Sequence, residues 1–145
     1  YFQAIDSQLG INRVQEFLNK IEYGNQTTSS NLDLYWSDFS LKISPLEQVT
    51  LLKKFNTNEF HLNSQNVFSV KNAIKIASTP NGNFYGKTGT GRVNGQDING
   101  WFIGYVETSD NSYYFATNIQ SDSNATGKKA FEITSDILKK LHIWN

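Results

Sequence analysis

Apolar residues recur at helical spacing through the first half of the chain and gather into strand-like runs in the second. Residues 2–9 predict a short helix stopped by Gly10. Asn12 is placed to cap a second helix, in which Val14, Phe17, Leu18 and Ile21 form one apolar stripe before Gly24. Residues 24–34 are polar and turn-like. Ser44-Pro45-Leu46-Glu47 is the clearest helix start: Ser44 can cap, Pro45 suits the first helical position, and Glu47 can close a capping box. Val49, Leu52 and Phe55 continue the apolar face of that helix. Another helix is expected from Ser64, with Val67, Val70, Ile74 and Ala77 at helical spacing.

The pattern then changes. Pro80-Asn81-Gly82-Asn83 reads as a turn and Phe84–Thr88 as a strand. Residues 92–99 are polar, contain Gly95, and predict a loop. Trp101–Glu107 is nearly all apolar, as for a strand covered on both faces. Ser109-Asp110-Asn111-Ser112 reads as a hairpin turn leading into a strand over Tyr113–Ile119. After a polar loop, Ala130 to Leu141 predict a final amphipathic helix. A mainly helical segment (1–80) followed by antiparallel strands and a helix packed on them (81–145) makes the fold α+β.

Composition narrows the function classes. Thirteen basic and thirteen acidic residues cancel, which argues against nucleic-acid or membrane-surface binding driven by net charge. No apolar run approaches the length of a membrane span, and no segment near Tyr1 has the pattern of a signal peptide. Cysteine is absent, so disulfides and thiolate zinc sites are excluded. His61 and His142 lie far apart without ligand spacing, and read as surface residues; no metal site is expected. The abrupt aromatic start Tyr1-Phe2-Gln3 and the lack of any Met suggest a piece of a larger domain.

The candidate chemistry sits on Lys87-Thr88-Gly89-Thr90. A lysine, a hydroxyl and a glycine in a row on a strand suit an anionic acyl substrate. The ammonium supplies charge, Thr88 a hydrogen bond, and Gly89 close backbone approach. The tripeptide is common and carries little by itself.

Five motifs in one order carry a resemblance. They are Tyr23-Gly24-Asn25, Tyr35-Trp36, the run Leu41 to Val49, Lys87-Thr88-Gly89, and the run Gly100 to Glu107. Together they resemble the C-terminal half of a class D serine β-lactamase (an oxacillinase), and equally the extracellular sensor domain of the related transmembrane β-lactam receptors. The resemblance spans nearly the whole chain and implies that residues 1–145 are the C-terminal part of one β-lactamase-like domain.

In that family a serine of a Ser-x-x-Lys motif attacks the lactam carbonyl, and the motif's lysine, carboxylated by CO2, is the general base. No serine here is followed by a lysine three residues on. Nucleophile, base and carboxylation site are therefore expected outside this chain, in the N-terminal part of the same domain, and these residues alone cannot form an acyl-enzyme. The resemblance gives Lys87 a role in the electrostatics and proton movement near the serine. It makes Thr88 and Gly89 substrate-binding and the N–H of Thr90 an oxyanion-hole donor. Trp36 corresponds to the indole donor that holds the carboxylated lysine. The next residue, usually large and apolar, is Ser37, which puts the dryness of that lysine site in doubt. Tyr23, Gly24 and Asn25 match an element expected to be structural. Lys128 stands where the enzymes commonly place an arginine for the substrate carboxylate, as a point charge in place of a planar fork.

Ser109-Asp110-Asn111 spells a motif of class A enzymes, but it follows Lys-Thr-Gly instead of preceding it, so the turn reading prevails. The resemblance implies a β-lactam as partner and an extracytoplasmic location. A hydrolase is favoured, since the Tyr1-Phe2-Gln3 start and Gln48 fit the enzymes, with the receptor as alternative. A penicillin-binding transpeptidase is a weaker third reading, against which Tyr23-Gly24-Asn25 and Leu41 to Pro45 speak.

Overall fold

The computed structural model describes residues 2–28 and 40–144, so the expectations for Tyr35, Trp36 and Ser37 lie outside the described residues. The chain forms two compact units, Tyr1–Leu51 and Leu52–Asn145.

The first unit holds α1 (Phe2–Leu9), α2 (Ile11–Lys20) and most of α3 (Pro45–Asn56). Gly10 separates α1 from α2 at φ 78, and it is the N-cap of α2 without any side-chain cap. Asn12 therefore lies inside the helix, contrary to its expected capping role. A single left-handed glycine both ends one helix and starts the next, so no room is left for a separate cap. Val14 and Leu18 are buried, whereas Phe17 is 44% exposed and Ile21 is the C-cap, so the inward stripe is narrower than expected.

The capping box of α3 forms as its sequence prescribes. The Ser44 N–H donates to Glu47 Oε2 at 2.8 Å, and the Glu47 N–H donates to Ser44 Oγ at 3.2 Å. Hydrogen bonding of the Glu47 carboxyl by the Ser44 backbone N–H, and next by the Ser44 side chain, holds it below its ordinary range. That contribution is present above the ordinary carboxylate pKa and is lost as pH falls through the lowered value. Ser44→Ala is expected to cost the intact protein about 1 kcal/mol, read as a lower denaturant midpoint.

The second unit completes α3 and adds α4 (Ser64–Ala73), then β1 (Lys75–Thr79), β2 (Gly82–Val93), β3 (Gln96–Thr108), β4 (Ser112–Gln120) and α5 (Gly127–Lys140). The four strands form an antiparallel meander in sequence order. Asn63 caps α4 by accepting from the N–H groups of Gln65 and Asn66.

Three boundaries differ from expectation. First, α4 stops at Ala73 with Ile74 as C-cap, and Ala77 lies on β1. The spacing of Ile74 and Ala77 suits a helix, but pairing of Lys75–Thr79 with Gly82–Tyr85 across the Pro80 turn prevails. Second, residues 92–99 continue β2 and β3 around a tight hairpin instead of looping. Asn94 (φ 49) and Gly95 (φ 78) both take the left-handed conformation that such a turn requires. Third, α5 begins at Gly127, not Ala130, because the Thr126 hydroxyl accepts the Lys129 N–H and caps the earlier turn.

One sheet face packs on α5. Phe84, Phe102, Val106, Ala130 and Leu138 form its buried centre, with Phe115, Phe131 and Trp144 around it. Phe102 meets Phe131 edge-on at 5.0 Å, and Phe84 meets Phe102 edge-on at 6.0 Å. Thr134 of α5 is tied to β4 by a 2.6 Å hydroxyl bond to Thr117.

The opposite face carries an aromatic row, since Lys75, Tyr85, Tyr105 and Tyr114 stand opposite one another across all four strands. Tyr85 stacks on Tyr105 at 4.6 Å, Tyr105 on Tyr114 at 5.7 Å, and Lys75 Nζ lies 5.5 Å over the Tyr85 ring. Tyr105 is fully buried and its hydroxyl has no partner among the described residues. Burial, before the nearby Glu107 charge, pushes its phenol pKa up. An unpaired buried hydroxyl is a cost, so Tyr105→Phe is expected to leave the intact protein's stability, read from urea unfolding, unchanged or to raise it by up to about 1 kcal/mol. A clear fall would reveal a hidden partner.

Candidate active site

Strand pairing exposes one edge of β2. β1 pairs only with Gly82–Tyr85, whereas β3 runs beside β2 as far as Val93. From Lys87 onward the edge away from β3 has no strand partner among the described residues. The direction of its backbone groups can be read from Gly86, whose N–H donates to Ile74 O at 2.8 Å and so points away from β3. Strand geometry repeats every second residue, and the first register shift comes only between Gly91 and Arg92. The N–H groups of Thr88 and Thr90 therefore face the same open edge. Backbone donors on an open strand edge can accept an incoming ligand as a further strand would.

Lys87 stems from the tyrosine-row face, one residue pair along from Tyr85, and is exposed. Its ammonium turns to the edge, where Nζ donates to the carbonyl of Thr88 at 2.6 Å. A positive charge thus sits beside the N–H groups of Thr88 and Thr90. Thr88 and Thr90 point their side chains to the α5 face.

The start of α5 packs directly on this segment. The Gly127 N–H donates to Thr90 Oγ1 at 2.9 Å. A Cβ on Gly127 would stand 2.6 Å from Gly89 O, 2.9 Å from Gly89 N and 2.9 Å from Thr88 Cβ, so only glycine admits this approach. On β3, a Cβ at Gly100 would lie 2.4 Å from Thr126 O, so a second glycine brings the same helix start close. Lys128 follows Gly127 on the first turn, largely exposed and 3.9 Å from Glu132. That turn has Lys128 and Lys129 and no acidic residue. Two cations at the positive end of a helix are ill-placed unless an anion joins them.

Thr88, Gly89 and Thr90 thus meet the start of α5 at Gly127, the residue before Lys128, with the Lys87 ammonium on the adjoining edge. Sequence reading did not single out Gly127, Gly100 or the cap at Thr126; a threonine two residues before a lysine pair was the available signal.

Tyr23, Gly24 and Asn25 lie in the first unit. Tyr23 Oη donates to the buried Gln48 Oε1 at 3.3 Å, and burial raises the Tyr23 pKa. Asn25 Nδ2 donates to Ser40 O, while the Lys42 N–H donates to Asn25 Oδ1 at 2.9 Å. Gly24 has φ 49, and a Cβ there would stand 1.9 Å from Lys42 O. These bonds tie residues 23–25 to 40–48. Trp36 lies outside the described residues. Among the described residues no cluster of His, Asp or Glu could hold a metal ion, and His61 and His142 are exposed. No described helix is long and apolar enough to cross a membrane.

The profile of the penicillin binding protein transpeptidase domain family matches residues 1–139. Regulatory protein BlaR1 of Bacillus licheniformis is 46% identical over 144 residues, which are 99% of this chain and 24% of that protein. The solved C-terminal domain of the Bacillus licheniformis BlaR penicillin-receptor superposes with a TM-score of 0.94 at 46% identity, over 100% of this chain and 58% of that one. A class D β-lactamase from Bacillus subtilis superposes with a TM-score of 0.91 at 36% identity, over 100% of this chain and 59% of that one. The chain thus spans about a quarter of the curated receptor's length and less than two thirds of each solved domain.

Proposed function

Because this chain belongs to the penicillin binding protein transpeptidase domain family, we propose that the open edge of β2 and the start of α5 form the anion-binding side of a cleft in which a serine of the intact protein is acylated by β-lactams. The observation that carries the proposal is the shared phase of Gly86, Thr88 and Thr90, with the Lys87 ammonium beside them.

In this reading the Thr90 N–H donates to the carbonyl oxygen as it gains charge, and Lys87 stabilises negative charge near the attacking serine and assists its proton. Thr88 Oγ1 and Lys128 receive the substrate carboxylate. Nucleophile and base come from residues outside this chain, where the resemblance also places the lysine carboxylated by CO2.

We assign the intact protein a receptor role, in which the acyl group is held as a signal, on the extracytoplasmic side where β-lactams act. The greater identity to the BlaR domain, 46% against 36% at equal coverage of this chain, supports this choice. The hydrolase expected from sequence is the second reading, and the close superposition on the class D enzyme supports it. Mass spectrometry of the intact protein after a pulse of benzylpenicillin separates them. A persistent adduct of one penicillin mass is the receptor result, and an adduct that vanishes with stoichiometric excess of hydrolysed drug is the hydrolase result. No adduct at all overturns both.

A further inference from the structure

Three Asn-Gly steps occur in the second unit: Asn81-Gly82, Asn94-Gly95 and Asn99-Gly100. An asparagine followed by glycine is open to attack on its own side chain. No Cβ shields the next backbone nitrogen, and glycine lets that peptide turn freely. The nitrogen must swing onto the asparagine Cγ, so the fold decides which step can react.

Two of the three are held. Gly82 stands between Thr79 on β1 and Thr108 on β3, and a Cβ there would lie 2.1 Å from Glu107 O. Gly100 is buried between Thr90 on β2 and Ile119 on β4, and its Cβ would lie 2.4 Å from Thr126 O. Asn99 is fixed further by its Oδ1, which accepts from Asn118 Nδ2 at 2.6 Å. Asn94-Gly95 is free by comparison. It is the tip of the β2–β3 hairpin, beyond the last strand pair, Val93 with Gln96. Both residues are exposed, and nothing lies within 4 Å of a Cβ built on Gly95. Opening this turn disturbs the terminal pair, while Arg92 Nε on Asp97 Oδ1 at 2.7 Å holds the ladder behind it.

We propose that Asn94 is a self-modifying site, converted without any enzyme to aspartate and isoaspartate. The Gly95 nitrogen gives up its proton and attacks Asn94 Cγ. An N–Cγ bond forms, the Cγ–Nδ2 bond breaks, and ammonia leaves with that proton, closing a five-membered imide. Water then opens the ring. Breaking the new N–Cγ bond gives aspartate, and breaking the original peptide C–N bond gives isoaspartate. Both products add a negative charge. Isoaspartate also adds one carbon to the backbone of a two-residue turn that closes Val93 on Gln96 through two left-handed residues. The change falls on the hairpin whose first strand carries Thr88 and Thr90. The inference does not depend on whether the protein is a receptor or a hydrolase.

Peptide mapping by mass spectrometry tests it, on the intact protein aged in mildly alkaline buffer, once folded and once unfolded in guanidinium chloride. In the unfolded chain the three steps are expected to convert at similar rates, since the chemistry is the same. In the folded protein Asn94 is expected to convert first, with Asn81 and Asn99 slower by about tenfold or more, because their reaction awaits opening of the strand pairs around them. Aspartate and isoaspartate peptides should appear together, as the imide route requires. Asn81 or Asn99 converting as fast as Asn94 in the folded protein overturns the proposal, as does Asn94 surviving there while the unfolded chain reacts. Aspartate alone, without isoaspartate, also overturns it.

Discussion

Gly104→Ala is expected to destabilise the intact protein by about 3 kcal/mol or more. A Cβ at that position would stand 2.0 Å from Tyr85 O, 2.7 Å from the Gly86 Cα and 2.7 Å from Phe115 Cζ. Two of those neighbours are backbone of the adjacent strand, which cannot turn aside as a side chain can. Relief would require β2 and β3 to part at the Gly86–Gly104 pair. That pair lies immediately before the functional segment, and the Gly86 N–H sets the outward direction of Thr88 and Thr90. Loss of stability and loss of acylation should therefore appear together. Chemical denaturation checks the first; a cost below about 1 kcal/mol would mean that the close approach is not maintained in solution.

Lys87→Ala is expected to slow acylation of the intact protein by a β-lactam by about 10²-fold or more while leaving its unfolding midpoint nearly unchanged. The side chain is exposed, and its recorded bond is to the neighbouring carbonyl of Thr88, so folding does not depend on it. Its charge, however, lies beside the only described backbone donors aimed at the open edge near α5. Lys87→Arg should recover part of the rate, because charge is kept while the point-like ammonium is replaced by a broader group. Stopped-flow acylation with a chromogenic cephalosporin measures both variants. An unaltered rate in Lys87→Ala would remove the ammonium from the chemistry.

The elements legible in the sequence were those whose signals are local. Ser44 and Glu47 sit at the two positions a capping box needs, and the structure makes both bonds. The run Trp101–Glu107 admits little besides a covered strand, and it forms the C-terminal half of β3. Failures arose where pairing partners overrode local pattern. Ile74 and Ala77 fit a helix by spacing, yet the turn at Pro80 folds Lys75–Thr79 back onto β2. Residues 92–99 looked like a loop because they are polar, although Asn94-Gly95 is a strong hairpin signal and an exposed hairpin needs no apolar face. At the candidate site, residue types were readable but their arrangement was not. The open edge exists because β1 ends its pairing at Tyr85, a matter of strand length that no motif encodes. The approach of α5 likewise depends on Gly127 and Gly100, which meet the chain at sequence-distant points.

The most direct measurement compares acylation of Thr88→Val and of the parent protein by a penicillin and by the methyl ester of that penicillin. If Thr88 receives the substrate carboxylate at the junction of β2 and α5, its removal slows acylation by the free acid roughly tenfold, the worth of one hydrogen bond to a charged group. Acylation by the ester should then be affected far less, because the charge that Thr88 binds is already gone. Equal slowing of acid and ester would contradict the assignment of this strand and helix start as the carboxylate side of the cleft.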